Sequence, residues 1–555
     1  MTTPNSNARN GGQILIDQLV AQGVERVTCV PGESYLAALD ALHDSPIDVM
    51  ICRAEGGAAM MAEAYGKLTG RPGVCFVTRG PGSTNASHGV HIAMQDSTPM
   101  ILFIGQVDTG MREREAFQEL DYKAVFGTMA KWAVEIDRPD RIPELVARAF
   151  RIAMQGRPGP VVIALPENML METADVADAP RVEPVASWPA PADIERLGAM
   201  LASAKAPIVV LGGSGWTAAA TTDIARFAER FDLPVATSFR RASLFDADHS
   251  HYAGDLGISP DPRLKARITG ADLILLVGGR MSEMPSSSYT LLDIPVPNQT
   301  LVHVHPGAEE LGRVYQPALA IQATPAAFAT AIGALRPVAV PSWKGEAAKA
   351  HADYIEWSGV PRELPGTFQY GKVVTWLRDR LPKDAIICNG AGNYAGWLHR
   401  HHRFHTFAAQ LAPTSGSMGY GVPAAVLAKR QYPQRIVIAF AGDGCFLMNG
   451  QEFATAVQYD AAIIVIVIDN AQYGTIRMHQ EREFPGRIVG TQLKNPDFAL
   501  YARAFGGHGE RVERTEEFAP AFERALTSGK PSILHCLIDP RALSVGKDFV
   551  PQDNA

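Results

Sequence analysis

Short apolar runs alternate with longer, alanine-rich stretches of helical periodicity from one end of the chain to the other. Runs of strand length between turn-forming residues, separated by helical segments, predict parallel α/β domains. In the first part of the chain strands are predicted near Arg26–Val30, Val49–Cys52, Gly73–Thr78, Met100–Ile104 and Pro160–Ala164. In the middle they are predicted at Pro207–Leu211, Leu273–Val277 and Leu301–Val304, and each leads into a glycine-containing turn. In the last part they fall near Ala385–Cys388, Ile436–Ala441, Ile463–Ile468 and Ser532–Leu537. Two Pro/Ala-rich segments interrupt the alternation, Ala177 to Asp193 and Arg336 to about Pro365, and both read as linkers. They divide the chain into blocks 1–178, 190–335 and 365–555, each of ordinary domain size. The fold class expected is α/β, with three doubly wound parallel-sheet domains. The first and third look alike, and the central one is Rossmann-like.

Composition narrows the class without naming a function. At 555 residues the chain is too long for a single core, and 46% hydrophobic with 20% charged residues is an ordinary globular balance. A net charge of −7 offers no basic footprint for nucleic acid. The apolar runs are too short to cross a bilayer, and the polar stretch Met1 to Asn10 lacks the apolar centre of a signal peptide. Six scattered cysteines without CxxC spacing read as small buried hydrophobes in a reducing compartment. A cytoplasmic protein with neither nucleic-acid nor membrane partners is expected.

The chemistry concentrates in the third block. The run Ile436–Phe440 ends in Ala441-Gly442-Asp443-Gly444, and Ile463–Ile468 ends in Asp469-Asn470. Adjacent parallel strands joined by a crossover helix would set the Asp443 carboxylate and the Asn470 amide oxygen side by side at the carboxyl ends of the strands. Ligands bind at that edge in open α/β sheets. One carboxylate and one amide oxygen suit Mg²⁺, which takes few protein ligands and leaves room for phosphate oxygens. A Gly-Asp-Gly alone is often only a turn. Its spacing from Asp469-Asn470 favours a metal-held diphosphate.

This arrangement resembles the diphosphate- and magnesium-binding motif of the thiamin-diphosphate enzymes, and the three-block layout is similar to that of the acetolactate synthase and decarboxylase superfamily. The blocks then correspond to pyrimidine-binding, central and diphosphate-binding domains. The resemblance implies Mg²⁺ ligands Asp443, Asn470 and the main-chain carbonyl of Gln472, with Asp469 standing where the family has a first asparagine. Gly416-Ser417-Met418-Gly419 is similar to the family segment in which a bulky apolar side chain supports the bent cofactor, and Met418 fits that role. Gly392-Asn393-Tyr394 lies where acetolactate synthases have Gly-Gln-His beside the diphosphate. Together with Gly416, Gly442 and Gly444 these residues form the expected cofactor-binding set.

In the first block Glu55 opens a predicted helix, where a carboxylate is favoured by the dipole. Read alone it is a first-turn charge. The resemblance makes it the glutamate that hydrogen-bonds the cofactor's aminopyrimidine ring and so controls proton placement. Thr78 to Asn85 is similar to an acetolactate synthase loop, with Arg79 in place of a serine as an added cation near the site. By the same resemblance Gln118, in Ala116-Phe117-Gln118-Glu119, and Lys131 join Glu55 and Met418 as catalytic candidates.

The run His399, His401, His402 and His405, interleaved with Arg400 and Arg403, reads as a solvated polar loop and not as a zinc site. In the central block Arg280-Met281-Ser282-Glu283-Met284 keeps the first arginine of the FAD-associated Arg-Phe-Asp-Asp-Arg segment of anabolic acetolactate synthases and loses its aspartates. FAD is an open expectation. The resemblance implies a lyase or ligase that decarboxylates pyruvate or a similar 2-oxo acid and joins the product to a carbonyl acceptor. His479 stands where the relatives carry a tryptophan that favours 2-oxobutyrate as acceptor. The alternatives are another 2-oxo acid decarboxylase or aldehyde carboligase of the superfamily, and a non-catalytic nucleotide-binding homologue. A homodimer or dimer of dimers is implied, with Glu55 of one chain facing Asp443 and Asn470 of another.

Overall fold

The structure, a computed structural model, describes residues 8–546. The chain forms two compact units that divide between Val185 and Ala186.

In the first unit β1 (Arg9–Asn10) pairs antiparallel with β8 (Thr173–Ala174). The main sheet is built from β2 (Arg26–Cys29), β3 (Asp48–Ile51), β4 (Gly73–Val77), β5 (Met100–Gln106), β6 (Trp132–Glu135) and β7 (Pro160–Pro166), in the order β3-β2-β4-β5-β7-β6. All its pairings are parallel. Helices cover both faces of such a sheet, so its central strands read as unbroken apolar runs. Every residue of β5 and β7 is buried. The edge strand β6, Trp-Ala-Val-Glu, is only half-buried and carries no such run, which is why the apolar pattern passes over it.

The second unit holds two more parallel sheets. The central one comprises β9 (Pro207–Leu211), β10 (Val235–Ser238), β11 (Tyr252–Leu256), β12 (Leu273–Val277), β13 (Thr300–His305) and β14 (Leu319–Gln322), in the order β11-β10-β9-β12-β13-β14. That is the doubly wound Rossmann order. The third comprises β15 (Ile386–Asn389), β16 (Gln410–Leu411), β17 (Val437–Gly442), β18 (Ile464–Asp469), β19 (His508–Val512) and β20 (Ser532–Leu537). Its order, β16-β15-β17-β18-β20-β19, repeats that of the first unit's sheet. The α/β class with three parallel-sheet domains therefore holds.

Two expectations need correction. The segment after Arg336 is not an open linker throughout: Glu346–Ser358 is a helix. Its buried face includes Ala350 and Tyr354, and the Tyr354 ring meets Tyr252 of β11 edge-on at 4.8 Å. Arg263 and Arg267 pair with Asp353 on the same helix. Alanine and charge hid an amphipathic stripe there. Nor is the histidine run a solvated loop. His399 and His401 lie on the helix Tyr394–His401, and His401 and His402 are buried. Burial pushes the imidazoles of His399 and His402 down to about 3 and that of His401 to about 4. His405 instead meets Asp246 at 2.8 Å. Among the described residues no helix is long and apolar enough to cross a membrane.

Candidate active site

In the third sheet β15 lies between β16 and β17. The chain therefore departs from β15 in opposite directions along the sheet, and a crevice opens at the carboxyl ends of the strands where it does so. A cavity of about 260 Å³ fills that place. Gly392 and Asn393 reach it from the loop after β15, Tyr394 from the start of the helix Tyr394–His401, and Gly416 and Met418 from the approach to the helix Gly421–Gln431. Gly442, Asp443 and Gly444 enter from the end of β17, and Asn470 and Gln472 from the turn after β18. The structure thus gathers all ten residues of the expected cofactor-binding set into one cavity wall, while Asp469 and His479 lie outside it. A Cβ at Gly444 would lie 2.5 Å from the Tyr473 ring, so the absence of a side chain there lets that ring pack against the turn.

The turn after β18 is shaped by its own side chains. Ala471 takes a left-handed φ of 55°, and the Asp469 carboxylate accepts its N–H at 2.9 Å. The Asn470 amide oxygen accepts the Gln472 N–H at 3.3 Å, and the Gln472 side chain donates to the Pro540 carbonyl at 2.8 Å. Behind the turn, Asn495 Nδ2 donates both to Asp443 Oδ2 at 2.7 Å and to Asp469 Oδ1 at 2.8 Å. His535 Nε2 lies 2.8 Å from Asp469 Oδ2. Two buried carboxylates therefore share a single amide. Burial, reinforced by the charge of Asp469, raises the Asp443 pKa above the ordinary carboxylate range despite the Asn495 hydrogen bond. Burial also opposes ionisation of Asp469, but hydrogen bonds from His535, the Ala471 N–H and Asn495 outweigh it and hold that pKa low. The cavity wall carries the Asp443 carboxylate and the Asn470 side chain, with Gln472 beside them, its carbonyl accepting the Gly474 N–H at 2.8 Å, and among the described residues no cation pairs with Asp443. This donor set fits a hard divalent ion.

The first unit supplies a second constellation. Glu55 begins the helix Glu55–Thr69 just beyond β3 and is half-buried. Its Oε2 accepts a hydrogen bond from Asn85 Nδ2 at 3.1 Å, and a Cβ on Gly82 would stand 3.4 Å from Oε1. The Gly80 N–H donates to the Gln118 carbonyl at 2.9 Å. Glu55, Asn85 and the Gln118 backbone thus share the carboxyl edge of this sheet. Gln118 has φ 64°, and its Oε1 is buried without a hydrogen-bond partner. With Glu113 at 59° and Glu115 at 55°, the loop holds three left-handed non-glycine residues, a strain that persists only where its surroundings enforce it.

Two candidates are placed otherwise than expected. Arg79 is no free cation: it donates to Glu33 at 3.1 Å and Glu167 at 2.5 Å. Lys131 precedes β6 and so stands at the amino edge of the parallel sheet, opposite Glu55. Its ammonium donates to the carbonyls of Ile152 at 2.5 Å and Gln155 at 2.6 Å, at the end of the helix Ile142–Met154, where a cation satisfies carbonyls that the helix leaves open. The sequence does not single out Asn495 and His535. A signal existed for His535, a polar residue inside the otherwise apolar buried run of β20.

Three family models match the chain. "Thiamine pyrophosphate enzyme, N-terminal TPP binding domain" covers residues 9–125, the central domain 194–332, and the C-terminal TPP binding domain 390–536. The chain is 31% identical to the acetolactate synthase isozyme 2 large subunit of Escherichia coli K12, with 96% of each covered. It is 30% identical to the acetolactate synthase large subunit of Corynebacterium glutamicum (93% of this chain and 84% of that protein) and 26% identical to the acetolactate synthase of Bacillus subtilis (98% and 96%). These matches place the chain in the thiamine pyrophosphate enzyme family, as an enzyme dependent on that cofactor.

Proposed function

We propose that this enzyme decarboxylates pyruvate or a similar 2-oxo acid and transfers the resulting two-carbon or larger unit to a carbonyl acceptor, as an acetolactate synthase does. The observation that carries the reading is the convergence of Asp443, Asn470, Gln472 and Met418 on one cavity, in a chain aligned with acetolactate synthases over nearly its whole length. Bound thiamin diphosphate supplies the carbanion and electron sink that decarboxylation of a 2-oxo acid needs. Asp443, Asn470 and the Gln472 carbonyl would hold Mg²⁺, which would supply the positive charge that a diphosphate needs there. Gly442 and Gly444 keep the strand end free of side-chain bulk. Met418, half-buried against the third core, presents a conformable apolar surface. Glu55 holds or releases a proton at the cofactor's pyrimidine, and Asn85 orients its carboxylate. Gln118 offers its unpaired amide oxygen to the reacting groups. Lys131 acts as a helix cap and has no part in proton transfer. We further propose a homodimer whose sites combine Glu55 of one copy with Asp443 and Asn470 of the other.

His479 lies exposed on the helix Gly474–Glu483. His479→Trp is expected to raise the preference for 2-oxobutyrate over pyruvate as acceptor by roughly tenfold, the scale of one methylene in an apolar pocket. Competition between the two acceptors measures it. The reading itself is tested by incubating purified protein with thiamin diphosphate, Mg²⁺ and a panel of 2-oxo acids, with and without aldehyde or ketone acceptors. Release of CO₂ with formation of a 2-hydroxy ketone or 2-hydroxy-2-alkyl-3-oxo acid supports it. Failure to consume any 2-oxo acid refutes it.

A further inference from the structure

We propose that Arg240, which belongs to the central sheet's own connection, is a positioning residue for the cofactor pocket of the third sheet. It follows β10 and is almost fully buried. Its φ of 57° is a left-handed backbone that a non-glycine residue adopts only when its surroundings enforce it. The guanidinium leaves the central sheet and donates through Nη1 to the carbonyl of Pro413 and through Nη2 to that of Gly390, at 2.8 Å for the second. These carbonyls open the two loops that wall the cavity. Gly392, Asn393 and Tyr394 follow Gly390, and Gly416 and Met418 follow Pro413. The neighbouring Arg241 donates through Nε to Gly213 O at 2.8 Å and so pins the same turn back to the central sheet. One rigid fork, anchored on one sheet, therefore sets the spacing of two loops of the other. A lysine, with a single flexible ammonium, cannot reproduce that geometry. Burying a guanidinium is costly and seldom contributes net stability over a well-packed apolar side chain. Its value here lies in loop geometry, and the central domain acts on the cofactor site without touching the cofactor.

The inference rests on the pocket being the cofactor site, and the test separates the two. Calorimetric titration of full-length protein with thiamin diphosphate and Mg²⁺ gives the Kd, and kinetics at saturating cofactor give kcat. Arg240→Met, which removes both donors, is expected to raise the cofactor Kd by about tenfold or more, the equivalent of one net hydrogen bond, while kcat at saturating cofactor falls far less. Arg240→Lys should lie between the two. Phe227→Leu, in the central core away from both loops, serves as a control for general destabilisation. It is expected to lower Tm and leave Kd unchanged. The proposal is overturned if Arg240→Met binds within about twofold of wild type, or if Phe227→Leu weakens binding as much. Should Arg240→Met fail to fold, Arg240→Lys decides by the same Kd criterion. Wild-type protein that binds no cofactor would instead refute the pocket reading, and this inference with it.

Discussion

Asp443→Asn is expected to lower turnover by about 10²- to 10³-fold, the loss that follows removal of one preorganised electrostatic contact at a reacting site, and to weaken Mg²⁺-dependent cofactor binding in parallel. The aspartate is the only carboxylate in the proposed ligand set, and Mg²⁺ takes few protein oxygens, so no second carboxylate stands ready on the same side. Asp469 is turned away, bonded to His535, the Ala471 N–H and Asn495. The substitution is nearly isosteric, and an asparagine oxygen still accepts the Asn495 hydrogen bond. It also relieves the repulsion between two buried carboxylates that share that amide. The Tm of the cofactor-free variant should therefore be no lower than that of wild type, while the rise in Tm on adding thiamin diphosphate and Mg²⁺ is lost. Such a split separates a functional charge, kept at the expense of the apo fold, from a structural one. Unchanged cofactor affinity in Asp443→Asn would remove this residue from the metal site.

The same pocket shows what a chain can and cannot reveal before it is folded. Its walls were legible because they are the carboxyl ends of unbroken apolar strands: β17 and β18 are buried almost throughout, and the residues at and just past their ends, Gly442 to Gly444 and Asn470 to Gln472, have nowhere to go but the sheet edge. What lies behind the walls was not legible. Asn495 comes from a loop 52 residues beyond Asp443, and His535 from β20, which the topology sets next to β18 although 66 positions separate His535 from Asp469. Arg79 looked like an added cation because its partners are 46 and 88 positions away. Lys131 failed for a different reason. A parallel sheet has two edges, and a residue just before a strand stands at the one opposite the ligands, which alignment with relatives does not display. The histidine run misled through composition: four histidines and two arginines look solvated, yet Trp397 and Leu398 on the same helix anchor it in the third core.

Glu55→Gln should leave cofactor affinity within about threefold of wild type and lower turnover by about 10²- to 10⁴-fold, the range of a positioned general acid–base group. The amide keeps the size of the carboxyl, its oxygen can still accept from Asn85, and the helix Glu55–Thr69 begins unchanged. The loss therefore isolates proton handling from binding, and full activity in Glu55→Gln would end the proposed role. Pairing this variant with Asp443→Asn tests the assembly as well. The two residues belong to different compact units of the chain. If each site takes Glu55 from one copy and Asp443 from its two-fold-related partner, a mixed dimer of the two inactive variants contains one doubly defective site and one intact site. Equal mixing, with half of the dimers heterologous, should then restore roughly a quarter of wild-type turnover. If both residues of a site come from a single copy, every site in the mixture carries one defect and no activity returns. Refolding or co-expressing the two variants in equal amounts and measuring 2-oxo acid consumption distinguishes these outcomes. Recovery would establish that two chains build one active site, whereas silence in protein shown to be mixed dimer would assign Glu55 and Asp443 to the same chain.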